Sequence, residues 1–137
     1  ADVAAVVFSA NPINGALHEI VVNSSYGLGE SIVGGTTTPD TFVVDKHTLA
    51  ITSRTIGEKR RMTISIPGGT RELETPALLR AQPSATDAQV IEMAELARRL
   101  EADTSAPADV ECAWHGGTLY LLQSRPITTL RPTADTR

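Results

Sequence analysis

Between Ala108 and Pro126 the chain alternates apolar and polar residues on both sides of Gly116-Gly117, which predicts two strands folded back on each other. Strand side chains have period two, so Asp109 and Glu111 share one face while Val110, Cys112 and Trp114 share the other. A three-residue loop, His115-Gly116-Gly117, with a glycine in the left-handed position sets Trp114 opposite Thr118, Glu111 opposite Leu121 and Asp109 opposite Gln123. In that register Asp109, Glu111, Gln123 and Arg125 line a wet surface. Val110, Cys112, Trp114, Tyr120 and Leu122 then stack on a dry one. A two-residue turn would mix the sets, because a one-residue slip turns every side chain over.

The remaining pattern predicts strands first, then one long helix. Ala4-Ala5-Val6-Val7-Phe8-Ser9 is a continuous apolar run that ends at Asn11-Pro12, as a buried strand entering a turn does. His18 to Ser24 reads as a second strand, and Ser25-Tyr26-Gly27-Leu28-Gly29 turns the chain into a short helical piece at Glu30-Ser31-Ile32-Val33. Those glycines suit either a tight turn that caps a helix or a close backbone approach to an anion. Glu30 would cap the helix or make a polar contact, and it is not placed among the catalytic residues. Thr41 to Val44, Ala50 to Ser53, Met62 to Ile66 and Arg71 to Glu74 are β-branched or alternating, with turn residues between them, and predict antiparallel hairpins. Met62, Ile64 and Ile66 should face a dry side, Thr63 and Ser65 a wet one. Thr86-Asp87-Ala88-Gln89 is a capping-box signature, and Val90, Met93, Ala94, Ala97 and Leu100 recur at helical spacing, giving an amphipathic helix over about 87–102. Its apolar stripe should cover the dry face of the 108–126 hairpin and its neighbours. Ser105-Ala106-Pro107 ends it.

Composition narrows the function. The net charge is −4, and Arg60-Arg61 and Arg98-Arg99 are short and scattered, so neither nucleic acid nor an anionic membrane is an expected partner. A single cysteine excludes an internal disulfide framework and a cysteine-rich zinc site, and alternation puts Cys112 in the core as an inert thiol. No apolar run approaches the roughly 20 residues of a membrane span, no signal-peptide pattern opens the chain, and a cytoplasmic location is the default expectation. His18, His47 and His115 fall near turns or strand ends without metal-ligand spacing and read as solvated.

The wet hairpin face carries the candidate chemistry. Carboxylate and amide oxygens are hard ligands that suit Mg2+, and an arginine fork suits phosphate oxygens, so the set fits a metal–nucleotide. An ordinary solvated face is the alternative, since mixed charge on exposed strands is common.

Asp109-Val110-Glu111 followed by Leu119-Tyr120-Leu121-Leu122-Gln123-Ser124-Arg125-Pro126-Ile127-Thr128-Thr129-Leu130 resembles the end of the ATP-binding domain of the pyruvate phosphate dikinase and phosphoenolpyruvate synthase family, which includes the rifampicin phosphotransferases. Phe8-Ser9-Ala10-Asn11-Pro12, Asn23-Ser24-Ser25-Tyr26-Gly27-Leu28-Gly29-Glu30, Pro39-Asp40-Thr41-Phe42-Val43-Val44-Asp45-Lys46 and Ile56-Gly57-Glu58-Lys59 occur in the family's order and approximate spacing, from Ala1 to about Leu130. The resemblance implies an α+β fold, a mostly antiparallel sheet with helix cover. This would be the C-terminal half of an ATP-grasp nucleotide-binding domain over residues 1–130, with 131–137 as interdomain linker or tail. It also implies that the chain begins inside a larger enzyme. That enzyme binds ATP between this half and an upstream half, moves the β-phosphoryl group to a histidine on another domain, and passes it to pyruvate or to rifampicin. On this reading Glu111 and Gln123 hold Mg2+, Asp109 supports the metal or its waters, and Arg125 pairs with a phosphate oxygen. None of the three histidines lies in a sequence like the family's phospho-accepting motif. Cys112 stands where the family usually has an aromatic, with Trp114 on the same face to fill that volume, and Ala5 stands where Gly is common. The upstream lysine and arginine that grip the triphosphate in the family are absent, so these residues alone are expected to bind ATP weakly and not to turn over. A non-catalytic nucleotide-binding module and a purely structural β-rich scaffold are the competing expectations. The ending Ser124 to Leu130 leans, by resemblance, towards the rifampicin enzymes.

Overall fold

The computed structural model describes residues 2–27, 38–59, 61–80 and 82–127. Six strands form one sheet in the order β4-β3-β2-β1-β7-β8, built from β1 (Val3–Phe8), β2 (Glu19–Tyr26), β3 (Asp40–Asp45), β4 (Ile51–Thr55), β7 (Ala108–His115) and β8 (Thr118–Pro126). Every neighbouring pair is antiparallel. The hairpin of β5 (Arg61–Ile66) and β6 (Gly69–Glu74) forms a separate two-stranded sheet. A short helix α1 (Ala77–Arg80), which the sequence pattern does not predict, precedes the long helix α2 (Asp87–Thr104). The chain is thus an α+β fold, mostly antiparallel sheet with helical cover.

The capping box forms as the sequence predicts. Thr86 Oγ1 accepts from the Gln89 N–H at 3.1 Å, and the Gln89 side chain accepts from the Thr86 N–H at 2.9 Å. Helix α2 runs two residues past the expected 102 and stops where Ser105 takes a left-handed conformation with φ 60°. Its Val90, Met93, Ala94 and Ala97 bury against Val3, Ala5 and Val7 of β1, Ile20 and Val22 of β2, Phe42 and Val44 of β3, and Val110, Cys112 and Trp114 of β7. This is the core, and it lies on one face of the sheet. Among the described residues no helix is long and apolar enough to cross a membrane.

The face assignment for β5 is corrected. Thr63, expected to be wet, is buried, whereas Ile66, expected to be dry, is 38% exposed. The reason lies at Gly27, which forms a parallel bridge to Thr63 with φ 78°, so close that a Cβ there would sit 2.4 Å from the Thr63 carbonyl oxygen. That contact holds Thr63 against the end of β2.

A buried ion pair knits the loops to the sheet. Asp40, the first residue of β3, and Lys59 are both fully buried, with Lys59 Nζ 2.7 Å from Asp40 Oδ1. The Gly57 N–H donates to the same oxygen at 2.9 Å, and the Ser84 N–H and hydroxyl each donate to Oδ2 at 2.7 Å. Lys59 also donates to the Gly57 carbonyl at 2.9 Å and lies 5.7 Å from the centre of the Tyr26 ring. Burial, and then the negative charge of Asp40, push the Tyr26 phenol above its usual pKa. Gly57 tolerates no side chain, since a Cβ would meet the Thr38 and Pro39 carbonyl oxygens at 2.3 Å. Lys59→Met removes the ammonium facing a buried carboxylate, and should lower unfolding free energy by roughly 3–5 kcal/mol in a chemical denaturation series. A loss below about 1 kcal/mol would show that the pair is not a structural anchor.

Candidate functional site

The β7–β8 hairpin turns differently from the sequence expectation. Its turn has two residues, Gly116 and Gly117 with φ 57° and 81°, and His115 pairs with Thr118, so the expected three-residue loop is not formed. Two consecutive positive φ values suit the tight hairpin turn that matches strand twist, and glycine adopts them without strain. Trp114 consequently faces Leu119. The slip is reversed further along by a β-bulge between Glu111 and Cys112, where Leu122 is the extra residue of β8. Beyond it Glu111 pairs with Gln123, not Leu121, and Asp109 with Arg125, not Gln123.

The bulge thus restores the surface that the turn would have scrambled. Asp109, Glu111, Gln123 and Arg125 lie together on the face of the sheet away from α2. Arg125 Nε is 3.5 Å from Asp109 Oδ2 and its Nη2 is 3.7 Å from Glu111 Oε2. These are loose ion pairs rather than tight hydrogen bonds, on side chains that are 55% exposed for Arg125 and 20% and 26% for the two acids. Asp109 Oδ1 is buried and has no hydrogen-bond partner. The opposing residues of β1, Phe8 for Asp109 and Val6 for Glu111, floor this face with half-buried apolar surface.

The dry set is only partly as expected. Val110, Cys112 and Trp114 are buried, and burial pushes the Cys112 thiol up to about 12. Tyr120 and Leu122, expected beside them, are 49% and 62% exposed. Tyr120 pairs with Ala113 and so belongs to the outer face, while Leu122 is the bulge residue on an edge strand. Trp114 lies in the same core cluster as Cys112, and its indole N–H has no partner among the described residues. His18, His47 and His115 are exposed, in line with the solvated reading. The Leu28-Gly29-Glu30 segment, the short helical piece expected at Glu30 to Val33, and the tail from Thr128 onward lie outside the described residues.

Sequence reasoning missed several polar groups. Asn23 on β2 accepts a hydrogen bond from Thr41 Oγ1 at 2.9 Å on the outer face. The Asp40–Lys59–Ser84 network was also missed, because its members are far apart in sequence. At one end of the sheet, Glu101 of α2 accepts from Ser9 Oγ at 2.6 Å and pairs with Lys46 at 3.0 Å, tying the helix to β1 and to the end of β3.

The donor set can be tested against a divalent cation. Among the described residues no group of three or more His, Cys, Asp or Glu side chains comes together that could hold a metal ion. Two carboxylates and an amide carbonyl on adjacent strands, one carboxylate oxygen buried and unpaired, fit Mg2+, which takes one or two carboxylates and completes its shell with water and phosphate.

A family model described as "Pyruvate phosphate dikinase, AMP/ATP-binding domain" matches residues 1–137. The chain belongs to this family. Its relatives include a probable phosphoenolpyruvate synthase of Methanocaldococcus jannaschii, 37% identical over 96% of the chain, and the phosphoenolpyruvate synthase of Pyrococcus furiosus, 39% identical over 94%. A rifampicin phosphotransferase of Streptomyces sviceus is 39% identical over 95%. The chain spans only 11%, 17% and 15% of the lengths of these three proteins. In this AMP/ATP-binding domain the Ile56 to Lys59 motif builds the buried ion pair, and the Asp109 to Glu111 and Gln123 to Arg125 motifs face each other across one hairpin.

Cys112 provides a check on the burial of the inner face. Between about pH 7 and about pH 9 its reaction with a thiol reagent should stay slow and nearly flat in the native protein. In denaturant it should rise steeply with pH, as for an ordinary thiol of pKa about 8.5. Fast native labelling would place Cys112 outside the core.

Proposed function

We propose that this chain is the C-terminal half of an ATP-grasp nucleotide-binding domain, residues 1–130 with a linker at 131–137, in a longer cytoplasmic phosphotransferase. In that enzyme ATP lies between this half and an upstream one. The β-phosphoryl group passes to a histidine on a further domain and then to pyruvate or rifampicin. Family membership supports the nucleotide. The single observation that carries the site is the β7–β8 pairing, which sets Glu111 against Gln123 and Asp109 against Arg125 on one face.

Each residue then has a chemical task. Glu111 and Gln123 offer oxygens from facing strand positions, close enough for both to reach one Mg2+. Asp109, with its unpaired buried Oδ1, orients the metal's waters or takes a ligand position. Arg125 is held loosely by both acids and is free to swing its fork onto a phosphate oxygen as charge develops on the transferring group. Bound Mg2+ supplies charge neutralisation between the phosphates. Catalysis here is electrostatic positioning and requires no nucleophile from this chain.

Glu111→Gln and Gln123→Ala in the intact enzyme should each lower phosphoryl transfer by about 100-fold or more and weaken Mg-ATP binding, with an unchanged melting temperature. Unchanged activity and affinity would identify the hairpin face as solvated scaffold. The 137-residue chain by itself should bind Mg-ATP weakly in calorimetry and show no turnover, since it supplies only one wall of the site. Tight binding by the chain alone would contradict the two-half arrangement, and would favour a self-sufficient nucleotide-binding module.

A further inference from the structure

The row of residues through Glu111 continues across the sheet to an amide that the proposed metal site does not use. Val6 of β1 pairs with Glu111 on one side and with Asn23 of β2 on the other, and Asn23 pairs in turn with Thr41 of β3. Directly opposed residues share a face, so Gln123, Glu111, Val6, Asn23 and Thr41 form one line on the outer surface. At a strand spacing of about 4.8 Å, the Asn23 and Glu111 backbones stand about 10 Å apart, with the Val6 side chain between them. Glu111 leans away from this gap, since its Oε2 faces Arg125 on β8 at 3.7 Å.

The amide is oriented. Its carbonyl oxygen accepts the Thr41 hydroxyl at 2.9 Å, which turns the NH2 group away from that bond, and the NH2 makes no hydrogen bond among the described residues. The Val6 side chain offers that NH2 group no acceptor. A ligand lying over Val6 would therefore meet one accessible hydrogen-bond donor, the Asn23 amide, on the β2 side and metal-binding oxygens on the β7–β8 side. This polarity suits a magnesium–polyphosphate, with the cation towards the carboxylates and anionic oxygens towards the amide.

We propose that Asn23 is a further nucleotide-binding residue: its Nδ2 donates to a phosphate oxygen of the Mg-ATP held at Glu111 and Gln123, with Thr41 fixing the amide's orientation. The inference rests on the Mg-ATP reading of the hairpin face. The test is calorimetric Mg-ATP affinity of the intact protein for Asn23→Ala, Asn23→Asp and Glu111→Gln, with a thermal melt of each. Asn23→Ala should weaken binding about tenfold, the loss of one hydrogen bond to a charged group. Asn23→Asp, nearly the same shape, should weaken it further, because it replaces a donor with a negative charge facing phosphate, and both variants should melt like the parent. Equal affinity in both Asn23 variants with Glu111→Gln impaired would overturn this assignment and leave the hairpin site standing. Equal affinity in all three would remove the hairpin reading and this inference with it.

Discussion

Burial of one face of the six-stranded sheet beneath α2 is the constraint from which the site follows. Because side chains alternate, each residue that the helix draws inward commits its neighbours to the other face. Val110, Cys112 and Trp114 sit under the helix, so Asp109 and Glu111 cannot. Val7 and Val22 likewise commit Val6 and Asn23 to the outer surface. The polar face is thus specified by apolar residues that never touch a ligand.

The buried Asp40–Lys59 pair extends this logic to the loops. A carboxylate removed from water needs its acceptor sites filled, and Asp40 fills them with donors from two separate segments, the 57–59 loop and Ser84. The 57–59 loop leads towards the β5–β6 hairpin, and Ser84 leads into α2. Satisfying one buried charge therefore fixes where both elements leave the sheet. Close packing at Gly27 and Gly57 adds steric limits in the same region.

Much of this was legible in the sequence. The capping box, the helical stripe and the alternating 108–126 segment are local signals, and they gave α2, the hairpin and the grouping of Asp109, Glu111, Gln123 and Arg125 correctly. The register was not legible, because Leu121 and Leu122 are both apolar and either can be read as the inward residue. The extra residue shows itself only when the strands are paired. The expected loop length was one residue too long and the bulge was overlooked, and the two errors cancelled on the face that matters. The burial of Thr63 was not legible because it comes from the bridge to Gly27, a contact between distant segments that local alternation does not record. The place of Asn23 beside the hairpin face is not legible in the sequence, because Glu111 lies 88 positions away and only the intervening β1 brings the two into one row.

Placing Gln123 and Arg125 on the outermost strand has a dynamic consequence. Among the described residues strand β8 is laddered on one side only, and its side chains carry most of the exposed apolar surface of the hairpin. Such a margin can fray while the helix-covered centre stays shut, since local opening free energies range far below the global one. Fraying would scatter the polar groups of the hairpin face without melting the domain. The resilience of the scaffold and the persistence of its ligand geometry are therefore separable properties, and whatever presses against the free margin of β8 would govern the second while leaving the first untouched.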